Sequence, residues 1–489
     1  MAIDLLSEFA PMFYPKSVAV IGASADRRKF AGVFLATLLS FGYEGKIYPV
    51  NPQESDILGL KTYQTVSDIP EPVDFAVITV PAHAVPVVIK DCVTKRVKAA
   101  EILTSGFREI GEEGQKLEQE IARIAAKRIR IIGPNCFGIY CPAGGLTILP
   151  GADFSTESGP VAFISQSGGY AVRVPRRGQG LGIKFSKVVS YGNACDVDES
   201  DLLEYLGQDP ETKIITGYIE GVKDAHRFFK LLQKVSQTKP VILWKGGITQ
   251  SGARAAYSHT GSLAGAEAVW DAVFKQTGAI RVNSLEELLD TTLAFLHLGR
   301  HRGRKVAVVG GGGGITVTAT DICERVGLSV PLFPLKIQRK LAAVVPKVGT
   351  SIRNPVDVGL PYPPPAILRA VLETIAIDGD VDTIIVDEIE MTMLSRRSKH
   401  LEEAYGAGLE ENTKIPVEVK KRSGKSLMMV LPVEMTGVDT AEGEIARRKI
   451  CDYYLSEGIP VYLTLERAAK ALSNLVGCYE HLDLLSKTA

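Results

Sequence analysis

Three times along this chain a short, unbroken apolar run ends in a glycine turn that opens a helix-compatible stretch. Val18-Ala19-Val20-Ile21 leads into Gly22-Ala23-Ser24, and Val161-Ala162-Phe163-Ile164 leads into Ser165-Gln166-Ser167-Gly168-Gly169. Val306-Ala307-Val308-Val309 leads into Gly310 through Gly314. An uninterrupted apolar run is what a parallel strand buried on both faces requires. Parallel strands in turn need crossover connections, usually helices. The pattern therefore predicts an α/β protein built on open parallel sheets. Further apolar runs fit the same scheme: Lys46 to Pro49, Phe75 to Val80, Glu101 to Thr104, Ile129 to Ile132, Ile214 to Ile219, Val241 to Trp244, Thr383 to Val386 and Leu427 to Leu431. Gly114 to Lys127, Ala264 to Gln276, Leu285 to Leu296 and Ala441 to Glu457 carry apolar residues at helical spacing.

At 489 residues the chain has room for about three domains. The Gly-, Pro- and Ser-rich stretch Pro142 to Pro160 reads as one linker, and the basic run Gly299 to Arg304 as another. The expected domains are 1–145, 150–298 and 303–485. Ser395 to Lys425 is charged and reads as an irregular surface insertion. Hydrophobic residues make up 45% and charged residues 23%, enough apolar surface to offset the entropy of ordering a globular chain. Lys+Arg and Asp+Glu both total 56, so no net charge drives general binding to nucleic acid or an acidic membrane. No apolar run approaches the ~20 residues of a membrane span. The N-terminal segment carries Asp4 and Glu8 and lacks the basic start of a signal peptide. Seven dispersed cysteines without a CxxC pair point to a reducing cytoplasm rather than a disulfide framework or a thiolate metal site.

In an open α/β sheet, ligands bind at the C-terminal ends of the strands. In the first domain that edge carries Gly22-Ala23-Ser24, Asn51-Pro52, Val80-Pro81, Thr104-Ser105-Gly106 and Gly133-Pro134-Asn135-Cys136. Asn51 stands where a nicotinamide dinucleotide site usually has a carboxylate for the ribose hydroxyls. The domain therefore reads as a nucleotide-type fold that takes something other than NAD. A glycine turn at a helix N-terminus can bind a phosphate group or can simply be a tight turn. Three in one chain suggest repeated binding of anionic groups.

His259 lies in Tyr257-Ser258-His259-Thr260-Gly261-Ser262, a loop of small residues between a strand and a helix. A neutral imidazole there is available near pH 7 as a nucleophile for a phosphoryl group. Glu220 ends the run Ile214 to Ile219. It is either an exposed strand-end charge or, if close to His259, the carboxylate that fixes the imidazole tautomer. His226, His297, His301, His400 and His481 read as surface or helix-face residues, while His83 lies on the ligand edge.

The chain resembles, over nearly its whole length, the α subunit of nucleoside-diphosphate-forming acyl-CoA synthetases, and more distantly the succinyl-CoA synthetase α subunit. The motifs that carry the resemblance are Ser258-His259-Thr260-Gly261 with Leu263-Ala264-Gly265, Ile164 to Gly169, Ser190-Tyr191-Gly192-Asn193 with Asp196, Asn354-Pro355-Val356-Asp357, and Gly133 to Gly138. The resemblance implies a Rossmann-like CoA-binding domain followed by two flavodoxin-like ligase domains. It implies that Gly22, Ala23, Ser24, Asn51, Pro52, Val80, Pro81, Ser105, Asn135 and Cys136 meet coenzyme A. His259 would be the phosphohistidine and Glu220 its orienting carboxylate. Ser165, Gln166, Ser167, Gly168 and Gly169, with Gly311, Gly312, Gly313 and Gly314, would hold the histidyl phosphate at two helix N-termini.

The implied reaction is reversible: acyl-CoA, phosphate and ADP give acid, CoA and ATP, through an acyl phosphate and then phospho-His259. The family also uses an ATP-grasp domain for nucleotide and Mg²⁺. The three domains leave no room for one, so an ATP-grasp β subunit in an α2β2 assembly is expected, with a small organic acid or acyl-CoA as the other partner. No metal ligand set is expected in this chain. The helix after Gly169 departs from the family by carrying Pro175, which is expected to leave it short or kinked. The alternative reading is a catalytically lapsed CoA-binding regulatory protein.

Overall fold

The computed structural model describes residues 4–126, 128–147, 153–254, 266–301, 303–359, 363–387, 399–433 and 441–488. The chain divides into two compact units, Met1–Leu288 and Leu289–Ala489.

The first unit holds two sheets. In the first, the strands lie in the order Lys46–Val50, Ser17–Ile21, Phe75–Ile78, Ala99–Ile102, Arg130–Ile132, all parallel. Val18, Val20, Phe75 and Val77 pack into one core, and Ala19, Ile21, Ala76 and Ile78 into another. Burial on both faces is why these runs are apolar at every position. The order reverses between Ser17–Ile21 and Phe75–Ile78, which makes the C-terminal ends of these two strands the place for a ligand crevice.

The second sheet runs Ile280–Val282, Val241–Lys245, Ile214–Ile219, Val161–Ser165, Phe185–Ser190, Gly138–Cys141, Leu146–Thr147. Its first five strands are parallel and the last two antiparallel. The stretch read as a linker thus supplies Leu146–Thr147 to this sheet. Phe185–Ser190 escapes a hydrophobicity reading because Lys187 sits in its middle, only 1% exposed. A lysine can be buried there because its Nζ lies 2.9 Å from both Asp209 and Glu211 carboxylates. The helix Gly168–Gln179 runs through Pro175, so the proline does not cut it short; Ala171, Val174 and Pro175 are all buried.

The two sheets are joined by named contacts. Arg130 pairs with Asp196 at 2.9 Å, with Asp201 at 3.3 Å and with Glu8. Asp196 also accepts the Ile131 N–H at 2.8 Å. Phe9 and Phe13 of the helix Leu5–Phe13 stack on Tyr205 at centroid distances of 5.0 and 4.9 Å.

The second unit is built on a sheet ordered Ser351–Ile352, Val356–Asp357, Val306–Gly310, Thr383–Asp387, Ser426–Val430, Val461–Tyr462. All of its pairings are parallel except that of the first two strands. The described part of the expected insertion is a helix, Lys399–Ser423, that buries Leu409, Asn412, Ile415 and Val419. These positions recur every three or four residues, and the charges on the remaining faces masked that stripe in the sequence. His301 is likewise not a surface residue. It is buried, and its ring nitrogens lie 2.9 Å from Thr383 Oγ1 and 3.3 Å from Ser426 Oγ.

Candidate functional site

A cleft of about 340 Å³ opens at the C-terminal edge of the first sheet. Val80, Pro81, Ser105, Asn135 and Cys136, from loops far apart in sequence, all line it. Gly22, Ala23, Ser24, Asn51 and Pro52 lie at the neighbouring strand ends of the same edge. Gly22 has φ +84°, and a Cβ there would stand 2.8 Å from Thr79 Oγ1, so only glycine fits this turn. Asn51 spends its amide on the fold: Nδ2 donates to Ala23 O at 2.9 Å, and Oδ1 accepts the Gln53 N–H at 2.8 Å. It ties the glycine turn to the adjacent strand end, whereas a carboxylate could not donate to Ala23. Ser24 Oγ accepts the Asp26 N–H at 3.1 Å.

Cys136 is buried, with Sγ 3.3 Å from Ile102 O. Burial pushes its thiol well above the ordinary range, so it forms wall rather than thiolate. Sequence reasoning passed over the exposed basic run Arg27-Arg28-Lys29, between the turn and the helix Phe30–Ser40, in which Arg28 is paired with Asp26 at 2.9 Å. It also passed over Phe30, Phe34 and Phe137, three rings that line the cleft.

In the second sheet, Val161–Ser165, Ile214–Ile219 and Val241–Lys245 end side by side. Gln166, just past the first of these ends, is the hinge of the arrangement. Its Oε1 accepts the N–H groups of Glu220 at 3.0 Å and Gly221 at 3.2 Å. Two residues singled out from the sequence are thereby brought together. Glu220 is buried, not an exposed strand-end charge. Ser165 Oγ donates to Ser167 O at 2.6 Å and shapes the turn. The helix Gly168–Gln179 then begins with no side-chain cap from Ser167. N–H groups of a helix first turn, here those of Gly168 and Gly169, can bind an anion.

Lys245 was not visible as a site residue in the sequence, because it reads as the polar end of an apolar run. It is 2% exposed, and its Nζ donates to Glu220 O at 2.7 Å and also to Gly246 O. Burial pulls its ammonium down to about 8, against the opposing pull of the Glu220 charge. Tyr218 beside it has its phenol pushed up by burial and by the Glu220 carboxylate. Tyr170, Tyr218 and Trp244 form a ring cluster with centroids 4.6 to 5.0 Å apart. His259 lies outside the described residues. The chain enters that stretch from the strand Val241–Lys245 and leaves it for the helix Glu267–Thr277.

The cleft and the turn Ser165 to Gly169 meet. A Cβ on Gly168 would lie 2.8 Å from Phe137 Cγ, so the cleft wall rests on the first residue of the helix. The Phe137 N–H donates to Ser190 Oγ at 3.0 Å. Gly192 approaches the Pro134 and Asn135 carbonyls so closely that a Cβ would lie 2.4 and 2.3 Å from them. The Ser190–Asn193 and Asp196 motif is thus where the second sheet grips the cofactor-edge loop of the first.

In the second unit, Asp357 Oδ1 accepts the N–H groups of Gly312 at 2.9 Å and Gly359 at 2.8 Å. This fixes the turn before the helix Gly313–Arg325. Gly312 caps that helix at φ +129°, and among the described residues nothing beyond the helix's own backbone comes within 4 Å of a Cβ built on Gly314. Among the described residues, no group of three or more His, Cys, Asp or Glu could hold a metal ion, and no helix is long and apolar enough to cross a membrane.

Comparison with known proteins agrees with this layout. A family model described as a CoA binding domain matches residues 16–142. A succinyl-CoA ligase like flavodoxin domain matches residues 158–295. The ADP-forming acetate–CoA ligase I subunit alpha of Pyrococcus furiosus is 39% identical over 478 residues, spanning 95% of this chain and 96% of that protein. The ADP-forming acetate–CoA ligase I of Archaeoglobus fulgidus is 41% identical over 71% of this chain, which corresponds to 50% of that longer protein. Among solved structures, the dinucleotide forming acetyl-coenzyme A synthetase 1 of Ca. Korarchaeum cryptofilum, in complex with phosphate and ADP, superposes with a TM-score of 0.82 at 33% identity, covering 98% of each chain. With a cleft at the ligand edge of its CoA binding domain and similarity along nearly its full length, the chain belongs to the family of α subunits of ADP-forming acetate–CoA ligases.

Proposed function

We propose that this chain is the acyl-transfer subunit of an ADP-forming acyl-CoA synthetase. Coenzyme A lies along the cleft at the first sheet's edge, contacting Val80, Pro81, Ser105, Asn135 and Cys136, with Gly22 to Ser24 and Asn51-Pro52 at its nucleotide end. Phosphate lies against the N-terminus of the helix Gly168–Gln179. It attacks the thioester carbon, the C–S bond breaks, and CoA leaves as acyl phosphate forms. His259 then takes the phosphoryl group, releasing the acid, and passes it to a nucleoside diphosphate to make the triphosphate. Glu220 orients the imidazole and balances its positive charge in phospho-His259. The turn Gly311–Gly314 offers the same anion-binding chemistry in the second unit. Phosphoryl transfer of this kind needs positioning and oriented dipoles more than covalent machinery, which is what glycine turns at helix N-termini supply.

The observation that carries the reading is the contact of Phe137 with Gly168, because it sets the inner end of the cofactor cleft against the phosphate turn. Nucleotide and Mg²⁺ are handled by an ATP-grasp β subunit, in an α2β2 assembly. The test is to incubate the full chain with acyl-CoA and labelled phosphate. Acid-labile, base-stable label is expected on the wild type and none on His259→Ala. Equal labelling of both would overturn the assignment.

A further inference from the structure

The cleft wall carries an aromatic ring that the fold packs on one side and leaves largely open on the other. Phe30, the first residue of the helix Phe30–Ser40, is 65% exposed yet lines the cleft. A large exposed ring costs free energy that contact with an apolar group would recover. Its centroid lies 6.3 Å from that of Phe34 and 6.4 Å from that of Phe137. Phe137 in turn rests on Gly168. The aromatic wall therefore runs up to the phosphate turn, at the end of the cleft where a thioester must sit for phosphate to reach it. No lysine, arginine or histidine lines this cleft among the described residues. A second carboxylate on the acyl group would meet no cationic side chain in this lining and would lie against apolar rings.

We infer that the acyl group lies on the face of Phe30, closed in by Phe34 and Phe137. The site then selects apolar acyl groups larger than acetyl, aryl groups included, and disfavours dicarboxylic ones. The inference rests on the CoA–phosphate reading above and adds the substrate class. Phe30 is the specificity residue because it is the most exposed of the three rings, Phe34 being buried and Phe137 half-buried. Ring faces accept both alkyl and aryl groups, stacking with the latter.

The experiment is calorimetric titration of the full chain with CoA and with acetyl-, butanoyl-, phenylacetyl- and succinyl-CoA. Each buried methylene is worth roughly a factor of four in affinity. Butanoyl-CoA, with two more methylenes, is therefore expected to bind about fifteenfold more tightly than acetyl-CoA, phenylacetyl-CoA at least as tightly, and succinyl-CoA more weakly than either. Phe30→Ala should erase most of the butanoyl and phenylacetyl gain while leaving CoA itself within about twofold. Phe30→Leu should keep the butanoyl gain and lose the phenylacetyl one. Equal affinity for acetyl- and phenylacetyl-CoA would overturn the inference. So would a Phe30→Ala loss as large for CoA as for phenylacetyl-CoA, since the ring would then hold the cofactor. Failure of the chain to bind CoA at all would overturn the functional reading and this inference with it.

Discussion

Phe137 closes on Gly168 so tightly that a Cβ on Gly168 would stand 2.8 Å from Phe137 Cγ and 3.1 Å from both Cδ atoms. The constraint is one of space, because the ring root rather than a flexible tip is what the methyl would meet. Gly168→Ala must therefore displace either the cleft wall or the first turn of the helix Gly168–Gln179. Overpacking of this kind costs about 1–3 kcal/mol. We expect a loss of that size in urea unfolding, together with at least a tenfold drop in phospho-His259 formation. Phe137→Leu in the same chain should return part of both. A strictly additive double variant would show that the two residues do not press on each other.

Asn193 is fully buried, and its Nδ2 donates to Glu109 Oε2 at 2.7 Å and Glu118 Oε2 at 2.9 Å. Its own N–H donates to Pro134 O at 2.9 Å, so one residue ties the second sheet to the cofactor-edge loop. Asn193→Ala removes one donor from each of two carboxylates, Glu109 keeping the Gly106 and Phe107 N–H groups and Glu118 its Arg108 ion pair, at a cost of about 1–3 kcal/mol. Asn193→Asp should be worse near neutral pH, because a third carboxylate faces the other two, and should recover as the pH is lowered. Urea unfolding at pH 5 and pH 8 measures both; equal losses at the two pH values for Asn193→Asp would remove the electrostatic account.

How much of this was legible in the sequence depends on whether a residue's role is local. Val161 to Ser165 reads as a strand because both its faces are buried by its own sheet's neighbours. Phe185 to Ser190 does not, since the partners that neutralise Lys187 come from the distant Asp209 and Glu211. The edge residues Val80, Pro81, Ser105, Asn135 and Cys136 could be grouped in advance because a parallel sheet puts all its C-terminal ends on one side. Glu220 and Gln166 were each visible as strand-end residues, but their hydrogen-bonded pairing depends on strand order. Phe30, and the seating of Phe137 on Gly168, follow from packing between elements with no shared period, so no spacing announces them. Lys399–Ser423 was hidden for a different reason: its apolar stripe is narrow, and charge on its other faces dominates the composition.

Glu101 stands inside the strand Ala99–Ile102, wholly buried, and neither carboxylate oxygen has a hydrogen-bond partner among the described residues. Burial holds its carboxyl well above the ordinary value of 4.5, so it is carried neutral. The sign follows from proton counting. Above pH 4.5 the unfolded chain releases this proton while the folded chain keeps it. The contribution is thus fully present below about pH 4.5 and is lost as the pH rises toward the raised folded value, with a limiting slope of about 1.4 kcal/mol per pH unit. Glu101→Gln should match the wild type near pH 4.5 and gain on it steadily toward pH 8. Parallel stability curves for the two proteins in that window would mean that Glu101 ionises in the fold.

Lys245, at the end of the strand Val241–Lys245, poses the complementary case. Its Nζ donates to Glu220 O at 2.7 Å and lies 5.1 Å from the Trp270 ring centroid, with burial pulling its ammonium down to about 8 from 10.5. Between those two values the unfolded chain binds one more proton than the folded one, so this group makes stability rise with pH there. Lys245→Met lacks the titration, and wild type should therefore gain on the variant between pH 8 and pH 10.5. The same variant loses the ammonium's hold on the Glu220 carbonyl and leaves two carbonyl oxygens without their donor. Because Glu220 N–H is independently held by Gln166 Oε1, the strand end should persist while its carboxylate loses register. We expect phospho-His259 formation to fall about tenfold with little change in CoA affinity. Urea unfolding across pH 7 to 10.5 and phosphate labelling at pH 7 read the two effects separately. Undiminished labelling would reduce Lys245 to a packing role, and a flat stability difference would show that its ammonium stays charged through the window.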